Sequence, residues 1–243
     1  MGEWKRLGAA SQDPAIAFLV LLPLGLIHVA GHVEADNAAR GVVAQLLQQA
    51  LGPAAQWAFL AFLAVVSLWA IGRIRALDLP WRGGAGLTVA EGVLFGLALA
   101  PVLRWLTSVI PMEAAPLSLL TEGPATDELL RGLAISAGAG LYEELVFRAA
   151  LLGGLAVLIR ALLTGLGWQE LAPTVGTGAA LILSAAGFAL AHAAGDEFAL
   201  EPQVFAFRFL AGILLGGLFA WRGLGVVAYA HFTYDAVLIL PGI

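Results

Sequence analysis

The stretch Leu141-Tyr-Glu-Glu-Leu-Val-Phe-Arg148 places three charges inside an apolar run that extends from about residue 129 to residue 162. On an α-helix Glu144 and Arg148 are four positions apart and share a face, in the acid-before-base order that favours pairing. Glu143 is rotated by about 100° from Glu144, so its neighbour one turn later is Phe147. The pattern predicts that Arg148 neutralises Glu144, and it marks Glu143 as the candidate general base. Alternatively, both glutamates only hold helices together.

The composition of the whole chain is that of a membrane protein. Of its 243 residues, 60% are hydrophobic and 12% are charged, and the mean hydropathy is +0.91, whereas about a quarter of the residues of soluble domains are charged. The apolar runs are too long and too rich in Leu, Ala and Gly for strands; they cover residues 15–33, 53–72, 85–103, 129–162, 174–193, 203–221 and 225–241. We therefore expect an all-α, polytopic bundle of about seven or eight transmembrane helices.

The distribution of charge predicts an orientation in the membrane. If the N-terminus is cytoplasmic and the seven runs alternate, most basic residues fall on the cytoplasmic side, as the positive-inside rule requires. These residues are Lys5, Arg6, Arg73, Arg75, Arg82, Arg160 and Arg222. We expect an integral multi-pass protein of a bacterial or archaeal cell membrane. The net charge of −5 and the absence of a basic cluster argue against a nucleic-acid partner, and the absence of cysteine excludes disulfides and thiolate chemistry.

Two further helical motifs contain ionisable groups. Phe188-Ala-Leu-Ala-His192 places an aromatic ring one turn before an imidazole. His231-Phe-Thr-Tyr-Asp235 places a carboxylate one turn after a second imidazole. Ionisable groups within spans are costly and are candidates for function. Because they lie on different helices, Glu143, His192 and His231 could converge on a pocket in the bundle core. A lone intramembrane histidine such as His192 could equally serve as an interhelical hydrogen-bond donor.

Convergence of these groups constrains the helix boundaries. Glu143 falls near mid-membrane, whereas His192 falls at the outer end of the run 174–193. The fifth span must therefore extend beyond residue 193, or neighbouring helices must tilt. Glu91 and Arg208, single charges near span ends, are interpreted as structural.

Other motifs limit the chemistry. His28-Val-Ala-Gly-His32 followed by Glu34 has the spacing of metal ligands, but a position at the outer end of the first span favours plain interfacial histidines. The sequence contains no H-E-x-x-H zinc motif, no G-x-S-x-G serine elbow and no G-x-G-D motif of aspartyl intramembrane proteases. If the bundle hydrolyses a bond, water is the expected nucleophile.

Three motifs in this order resemble those of the CPBP intramembrane proteases, which include type II CAAX prenyl endopeptidases and bacterial Abi-like proteins. They are Glu143-Glu144-x-x-x-Arg148, Phe188-x-x-x-His192 and His231-x-x-x-Asp235, with Phe205-x-x-x-Phe209-x-x-Gly212-x-x-x-Gly216 before the last. The resemblance covers about residues 126–241. It implies that residues 126–243 form the catalytic transmembrane core, and that residues 1–125 add N-terminal helices and an outer connecting loop within one integral domain.

The resemblance also implies a role for each motif residue. Glu143 and His192 would activate a water, with Glu144, Arg148 and Phe188 as supporting residues. His231 and position 235 would stabilise the oxyanion. Because an ionised Asp235 cannot donate a hydrogen bond, three alternatives stay open: it is protonated, it orients a His231 imidazolium, or it binds a metal.

The resemblance is compatible with two cofactor requirements. The family has been described both as metal-free glutamate proteases and as metalloproteases. Glu143, His192, His231 and Asp235 could bind a divalent metal such as zinc, although the metal-free interpretation, with no cofactor required, is favoured.

The expected activity is hydrolysis of a peptide bond near the end of a membrane-anchored or lipidated protein or peptide, within the lipid bilayer. A prenylated C-terminus, a bacteriocin-like leader or a C-terminal sorting segment would suit the resemblance. The alternative is a non-enzymatic membrane protein, either a bacteriocin-immunity-type binding protein or a transporter. A transporter should show a repeated half-structure, and no internal repeat relates residues 1–125 to residues 126–243.

Overall fold

The computed structural model describes residues 2–31, 49–109, 126–192 and 202–239, and these residues form helices joined by turns without a strand. The elements are α1 (Glu3–Ser11), α2 (Pro14–Ala30), a 3₁₀ turn (Gly52–Ala54), α3 (Ala55–Ala76), α4 (Trp81–Val109), α5 (Thr126–Gly138), a π-helix (Ala139–Leu152), α6 (Gly153–Gly165), α7 (Ala172–Ala191), α8 (Pro202–Arg222) and α9 (Leu224–Leu238). The all-α prediction is confirmed.

Four helices of the described ranges are long and apolar enough to cross a membrane, and the count is five if α1 and α2, bent by 63°, form one span. The four are Trp81–Ser108, Leu129–Gly165, Ala172–Ala191 and Pro202–Arg222. The chain is therefore an integral membrane protein, although the expected number of seven or eight spans is not confirmed. The predicted run 225–241 corresponds to α9, which has only 15 residues.

The charged stretch lies in the middle of one continuous helix made of α5, the π-helix and α6. The apolar part of this helix, Leu129–Gly165, has 37 residues, more than the roughly 20 that span a bilayer. An α-helix was expected around residues 141–148, but the backbone there forms i→i+5 hydrogen bonds over Ala139–Leu152. Such π-helical turns are rare and are frequent at functional sites.

Helix α9 lies at the centre of the bundle and packs against α2, α4, α8 and the π-helix. Its residues Val226, Val227 and Ala228 are fully buried. Small residues allow the close approach: a Cβ atom on Gly140 would lie 2.6 Å from the Ala228 carbonyl oxygen. Since α2 and α4 share this core with α9, the N-terminal helices and the motif-bearing helices pack as one unit.

Ion pairs lie at the end of the bundle where α8 ends. Arg222 Nε donates to Glu91 Oε2 at 3.0 Å, and Arg222 Nη2 donates to Ser11 Oγ at 3.0 Å. Nearby in sequence, Asp13 accepts from Arg73 at 3.0 Å and from the Ala15 amide at 2.9 Å, which caps α2. Glu91 thus pairs within the bundle, in keeping with its structural assignment. Which face of the membrane this end occupies stays a prediction.

Several sequence expectations fall at or beyond the described ranges. The third span was expected to end at residue 103, yet α4 continues to Val109, so the outer connection predicted from residue 104 begins later. Most of that connection lies outside the described residues. The same is true of His32 and Glu34, which follow His28 in the candidate metal-ligand motif, and of the expected extension of the fifth span beyond residue 193.

The contact at Gly140 yields a stability prediction. We expect Gly140→Ala to lower the thermal unfolding temperature of the detergent-solubilised protein, because overpacking a tight contact costs about 1–3 kcal/mol and the obstacle is backbone. Gly154→Ala is the matched control, since a Cβ there meets no atom within 4 Å. Equal unfolding temperatures for the two variants would contradict the proposed close packing of the π-helix on α9.

Candidate active site

The π-helix buries an ion pair in the interior of the bundle. Glu144 is 0% exposed and Arg148 is 1% exposed, and Arg148 Nη1 lies 3.0 Å from Glu144 Oε1. Neither terminal nitrogen of Arg148 has a hydrogen-bond partner among the described residues, so the pair is held by charge attraction and not by hydrogen-bond geometry. Burying either charge alone would be prohibitive. The predicted pairing of Glu144 with Arg148 is therefore present in the structure.

The same glutamate also holds the imidazole of α9. His231 Nδ1 lies 2.7 Å from Glu144 Oε1, and since a carboxylate accepts, Nδ1 carries the proton. His231 Nε2 consequently faces two other carboxylates: Asp235 Oδ2 at 3.5 Å and Glu143 Oε2 at 3.9 Å. Glu144 thus makes the shortest contact to His231, whereas the sequence suggested Asp235 as the group that orients or charges it.

His192 reaches the site from the end of α7. Residue 192 is the C-cap of that helix, and its Nδ1 donates to the Phe188 carbonyl oxygen at 2.9 Å. This hydrogen bond directs Nε2 toward Glu143 Oε2, which is 3.6 Å away. Glu143, His192 and His231 therefore converge as predicted. Glu143 has the Nε2 atoms of both imidazoles within 4 Å.

Phe188 packs between the charged groups and fixes α7 against the π-helix. The guanidinium of Arg148 lies 4.4 Å above the centre of its ring, and the ring stacks edge to face on Phe147 at 5.3 Å. The imidazole of His192 is 4.5 Å away. A hydrogen bond of 2.6 Å from Ser184 Oγ to the Phe147 carbonyl oxygen connects the same two helices. Phe188 thus contacts both Arg148 and His192. Its position one turn before His192 predicted only the contact with the histidine.

These groups line a cavity of about 160 Å³ between α4, the π-helix, α7, α8 and α9. Its walls are Leu99, Glu143, Phe188, His192, Phe207, Arg208, Ala211, Leu215, His231, Tyr234 and Asp235. Two of the three motif carboxylates, Glu143 and Asp235, and both motif imidazoles line it. The motif arrangement therefore forms a concave site with polar groups set in apolar walls, as ligand sites usually are.

Sequence analysis missed two polar residues in this cavity. Tyr234 had no signal beyond its place inside the last motif. Arg208 was assigned to structure, but it lines the cavity, and its Nη1 donates to the His192 carbonyl oxygen at 3.1 Å. An arginine within an apolar span is a functional candidate by default, but its position near a span end led to the structural interpretation.

His28 does not behave as the interfacial residue that its position suggested. It is 1% exposed, its Nδ1 donates to the Ala134 carbonyl oxygen at 2.8 Å, and its ring meets that of Tyr142 edge to face at 5.5 Å. The interpretation as an interfacial histidine is therefore wrong. His28 instead packs α2 against the helix that carries Glu143.

The candidate metal ligands do not form a metal site as they stand. Glu143, His192, His231 and Asp235 are neighbours, but within the described ranges no group of three or more His, Asp or Glu side chains has the arrangement that holds a metal ion. We therefore derive no step through a metal.

Comparison with known protein families matches the part of the chain that carries the motifs. The family model described as "Type II CAAX prenyl endopeptidase Rce1-like" matches residues 125–237. The matched segment contains all three motifs. No curated protein and no solved structure matches the chain.

The double role of Glu144 yields a prediction about folding. We expect Glu144→Gln to destabilise the protein by about 3–5 kcal/mol, because it leaves the Arg148 charge buried without compensation. The loss should appear as a lower thermal unfolding temperature, and the double variant Glu144→Gln/Arg148→Met should recover part of it.

Asp78→Asn is the matched control for this prediction. Asp78 pairs with Arg6 at 3.4 Å on the surface, where ion pairs contribute little, so no measurable change is expected. A Glu144→Gln variant as stable as the control would show that the buried pair is not required for folding.

Proposed function

Through residues 125–237 the chain belongs to the Rce1-like type II CAAX prenyl endopeptidase family of CPBP proteases, and from this premise we propose that it hydrolyses a peptide bond in a membrane-associated or lipidated substrate. We propose further that the nucleophile is a water activated by Glu143 and His192. The family supports the endopeptidase activity. The mechanism and the class of substrate are proposed from the arrangement of the site.

One observation carries the proposal: the carboxylate of Glu143 lies within 4 Å of two imidazoles in a cavity of a membrane bundle. The separations of 3.6 Å to His192 Nε2 and 3.9 Å to His231 Nε2 exceed the usual 2.7–3.2 Å of a direct hydrogen bond. Over such distances a water molecule can bridge polar groups. A water held there would contact both a base and a potential hydrogen-bond donor.

The hydrolytic step follows from these positions. Glu143 takes a proton from the water, and the resulting hydroxide attacks the peptide carbonyl carbon to give a tetrahedral oxyanion. His192, whose Nδ1 proton is committed to the Phe188 carbonyl, presents the Nε2 lone pair to the same water. The C–N bond then breaks, and Glu143 returns the proton to the departing amine. Water is consumed, and an acid and an amine are formed.

Stabilisation of the oxyanion is assigned to His231. Because Glu144 holds its Nδ1 proton, an imidazolium at His231 would direct a second N–H from Nε2 into the cavity. Asp235, 3.5 Å from that Nε2, would favour the charged ring. Of the three alternatives for Asp235, we propose that it orients a His231 imidazolium, which donates a hydrogen bond to the oxyanion. Donors fixed in advance are the effective ones because they need no reorganisation as charge develops.

A second cavity beside the site supports a substrate with an apolar chain. It measures about 240 Å³ and is lined by side chains without charge, and its walls include Leu99 and Leu215, which also line the site. Phe95, Trp221 and Leu218 form other parts of the wall. We propose that a prenyl or acyl group, or an apolar segment of the substrate, lies there while its peptide bond reaches Glu143.

Removal of the base is the first test of the proposed activity. We expect Glu143→Ala to lower the cleavage rate of membrane-anchored peptides by at least about a hundredfold, since it removes the general base, while the protein stays folded. Candidate lipidated C-terminal peptides and C-terminal sorting peptides would be incubated with purified protein, and the products would be identified by mass spectrometry. Glu170→Gln, at an exposed glutamate, is the control. Full activity of Glu143→Ala would reject the mechanism.

A chelator tests the metal-free proposal separately. We expect the cleavage rate to be unchanged after prolonged treatment with a strong chelator, because the proposed step uses only water and side chains. Mass spectrometry of the same peptides before and after treatment provides the measurement. A loss of activity that zinc restores would favour the metal alternative, with Glu143, His192, His231 and Asp235 as the candidate ligands.

A further inference from the structure

Away from the active-site cavity, basic side chains lie on the surface formed by α1, the end of α3 and the start of α4. Residues 2–13 and 73–82 contain five basic and three acidic residues, although the whole chain has a net charge of −5. The basic ones are Lys5, Arg6, Arg73, Arg75 and Arg82, and the acidic ones are Glu3, Asp13 and Asp78. The proposed hydrolysis uses none of them, so their local excess of positive charge calls for a separate explanation.

Contacts between α1 and the turn that joins α3 to α4 bring these segments together. Arg6 Nη2 donates to the Asp78 carbonyl oxygen at 3.2 Å, within that turn. A Cβ atom on Gly83 would lie 2.5 Å from Leu7 Cδ2, so the first turn of α4 packs directly on α1. The exposed side of α1 and the α3–α4 turn therefore form one continuous surface.

The acids at this end of the bundle have arginine partners within the protein, whereas several cations do not. The acid–arginine pairs are Asp78 with Arg6, Asp13 with Arg73, and Glu91 with Arg222. In the part of the chain that the structure describes, three exposed basic residues of this surface have no carboxylate partner, namely Lys5, Arg75 and Arg82. Their charge is therefore available to an anion from outside the chain.

Two tryptophans beside these cations indicate the depth of the surface in the membrane. Trp4 is 82% exposed and Trp81 is 45% exposed, and the guanidinium carbon of Arg82 lies 5.3 Å from the centre of the Trp81 ring. Helix α1 is bent by 63° from α2, so beside a span near the membrane normal it lies close to the membrane plane. Interfacial helices combine tryptophan with basic residues in this way. We call the set Lys5, Arg75, Arg82, Trp4 and Trp81 the basic surface.

The chemistry of the basic surface fits one class of lipid. Ammonium and guanidinium groups bind phosphate oxygens through charge-assisted hydrogen bonds, and indole rings favour the level of the lipid headgroups. A zwitterionic headgroup carries its own cation, so an anionic headgroup gains more from three cations. This end of the bundle is predicted to be cytoplasmic, and the cytoplasmic leaflet carries a negative surface potential from anionic lipids.

We propose that the basic surface binds the headgroup of an anionic phospholipid. The lipid would contact α1 and the α3–α4 turn at the same time, and it would thereby hold α1 at the membrane interface. The basic surface shares no residue with the active-site cavity. The inference therefore goes beyond the proposed hydrolysis and does not depend on it.

Competition between two lipids tests the proposal. The whole chain, purified in a neutral detergent, would be incubated with equimolar phosphatidylglycerol and phosphatidylcholine of identical acyl chains, and the bound lipids would be counted by native mass spectrometry. The wild-type protein should retain phosphatidylglycerol in at least about tenfold excess, since each cation near an anionic lipid contributes a factor of about five. The excess should fall as the salt concentration rises, because salt screens exposed charges.

Removal of two cations should weaken the preference. We expect Lys5→Gln/Arg75→Gln to lower the phosphatidylglycerol excess at least about fivefold, and to leave the unfolding temperature in lipid-free detergent unchanged. Arg104→Gln/Arg131→Gln is the matched control, because it removes the same number of charges from exposed positions on α4 and α5 outside the basic surface. Equal losses in the two double variants, or equal retention of both lipids by the wild-type protein, would overturn the proposal.

A soluble headgroup distinguishes a lipid from a free phosphate compound. Glycerol 3-phosphate at the same concentration should not displace phosphatidylglycerol, because it lacks the acyl chains that keep a headgroup at the level of Trp4 and Trp81. Displacement would reject a lipid as the occupant. None of these results depends on peptide cleavage, so failure of the lipid proposal and failure of the proposed function are distinguishable.

Discussion

The arrangement of the site depends on one buried network, in which Glu144 contacts Arg148 on its own helix and His231 on α9. Glu144 is completely buried, so in this apolar bundle its charge is tolerable only while both contacts persist. Replacing such a network by apolar side chains is often neutral for stability, so the ionic form suggests a role in positioning. It fixes the π-helix and α9 relative to each other at the level of Glu143, and thereby sets the distance between the proposed base and the imidazole that faces it.

Close backbone contacts make this network possible. Gly140 allows the π-helix to approach the backbone of α9, and Gly212 allows α8 to approach Ala185 of α7, where an added Cβ atom would lie 3.0 Å from neighbouring atoms. Apolar attraction alone provides little specificity between helices in lipid, where small residues and hydrogen bonds determine packing. The Ser184 hydrogen bond to the Phe147 carbonyl adds such a fixed point. The polar groups of the π-helix, α7 and α9 are therefore held in fixed relative positions.

Much of the fold and of the candidate site could be predicted from the sequence, because i, i+4 spacing and hydropathy are local properties. The pairing of Glu144 with Arg148 and the grouping of Phe188 with His192 follow from helical periodicity, and the convergence of Glu143, His192 and His231 follows from the cost of isolated charges in a membrane. The contact of Glu144 with His231 could not be predicted, since it joins residues 87 positions apart. The π-helical backbone and the burial of His28 likewise depend on neighbours that periodicity does not specify.

The location of the cavity along the bundle agrees with a hydrolase that acts on membrane substrates. Arg208 and Arg222 stand on the same helix, 14 positions apart, which corresponds to about 21 Å along its axis. Arg222 belongs to the ionic cluster with Glu91 and Ser11, so the polar cavity lies well away from that end, where α7 ends and α8 begins. The apolar cavity that shares Leu99 and Leu215 extends from it toward Trp221. On the proposed function, the scissile peptide bond would lie in the polar cavity beside Glu143, while an apolar part of the substrate would lie in the second cavity.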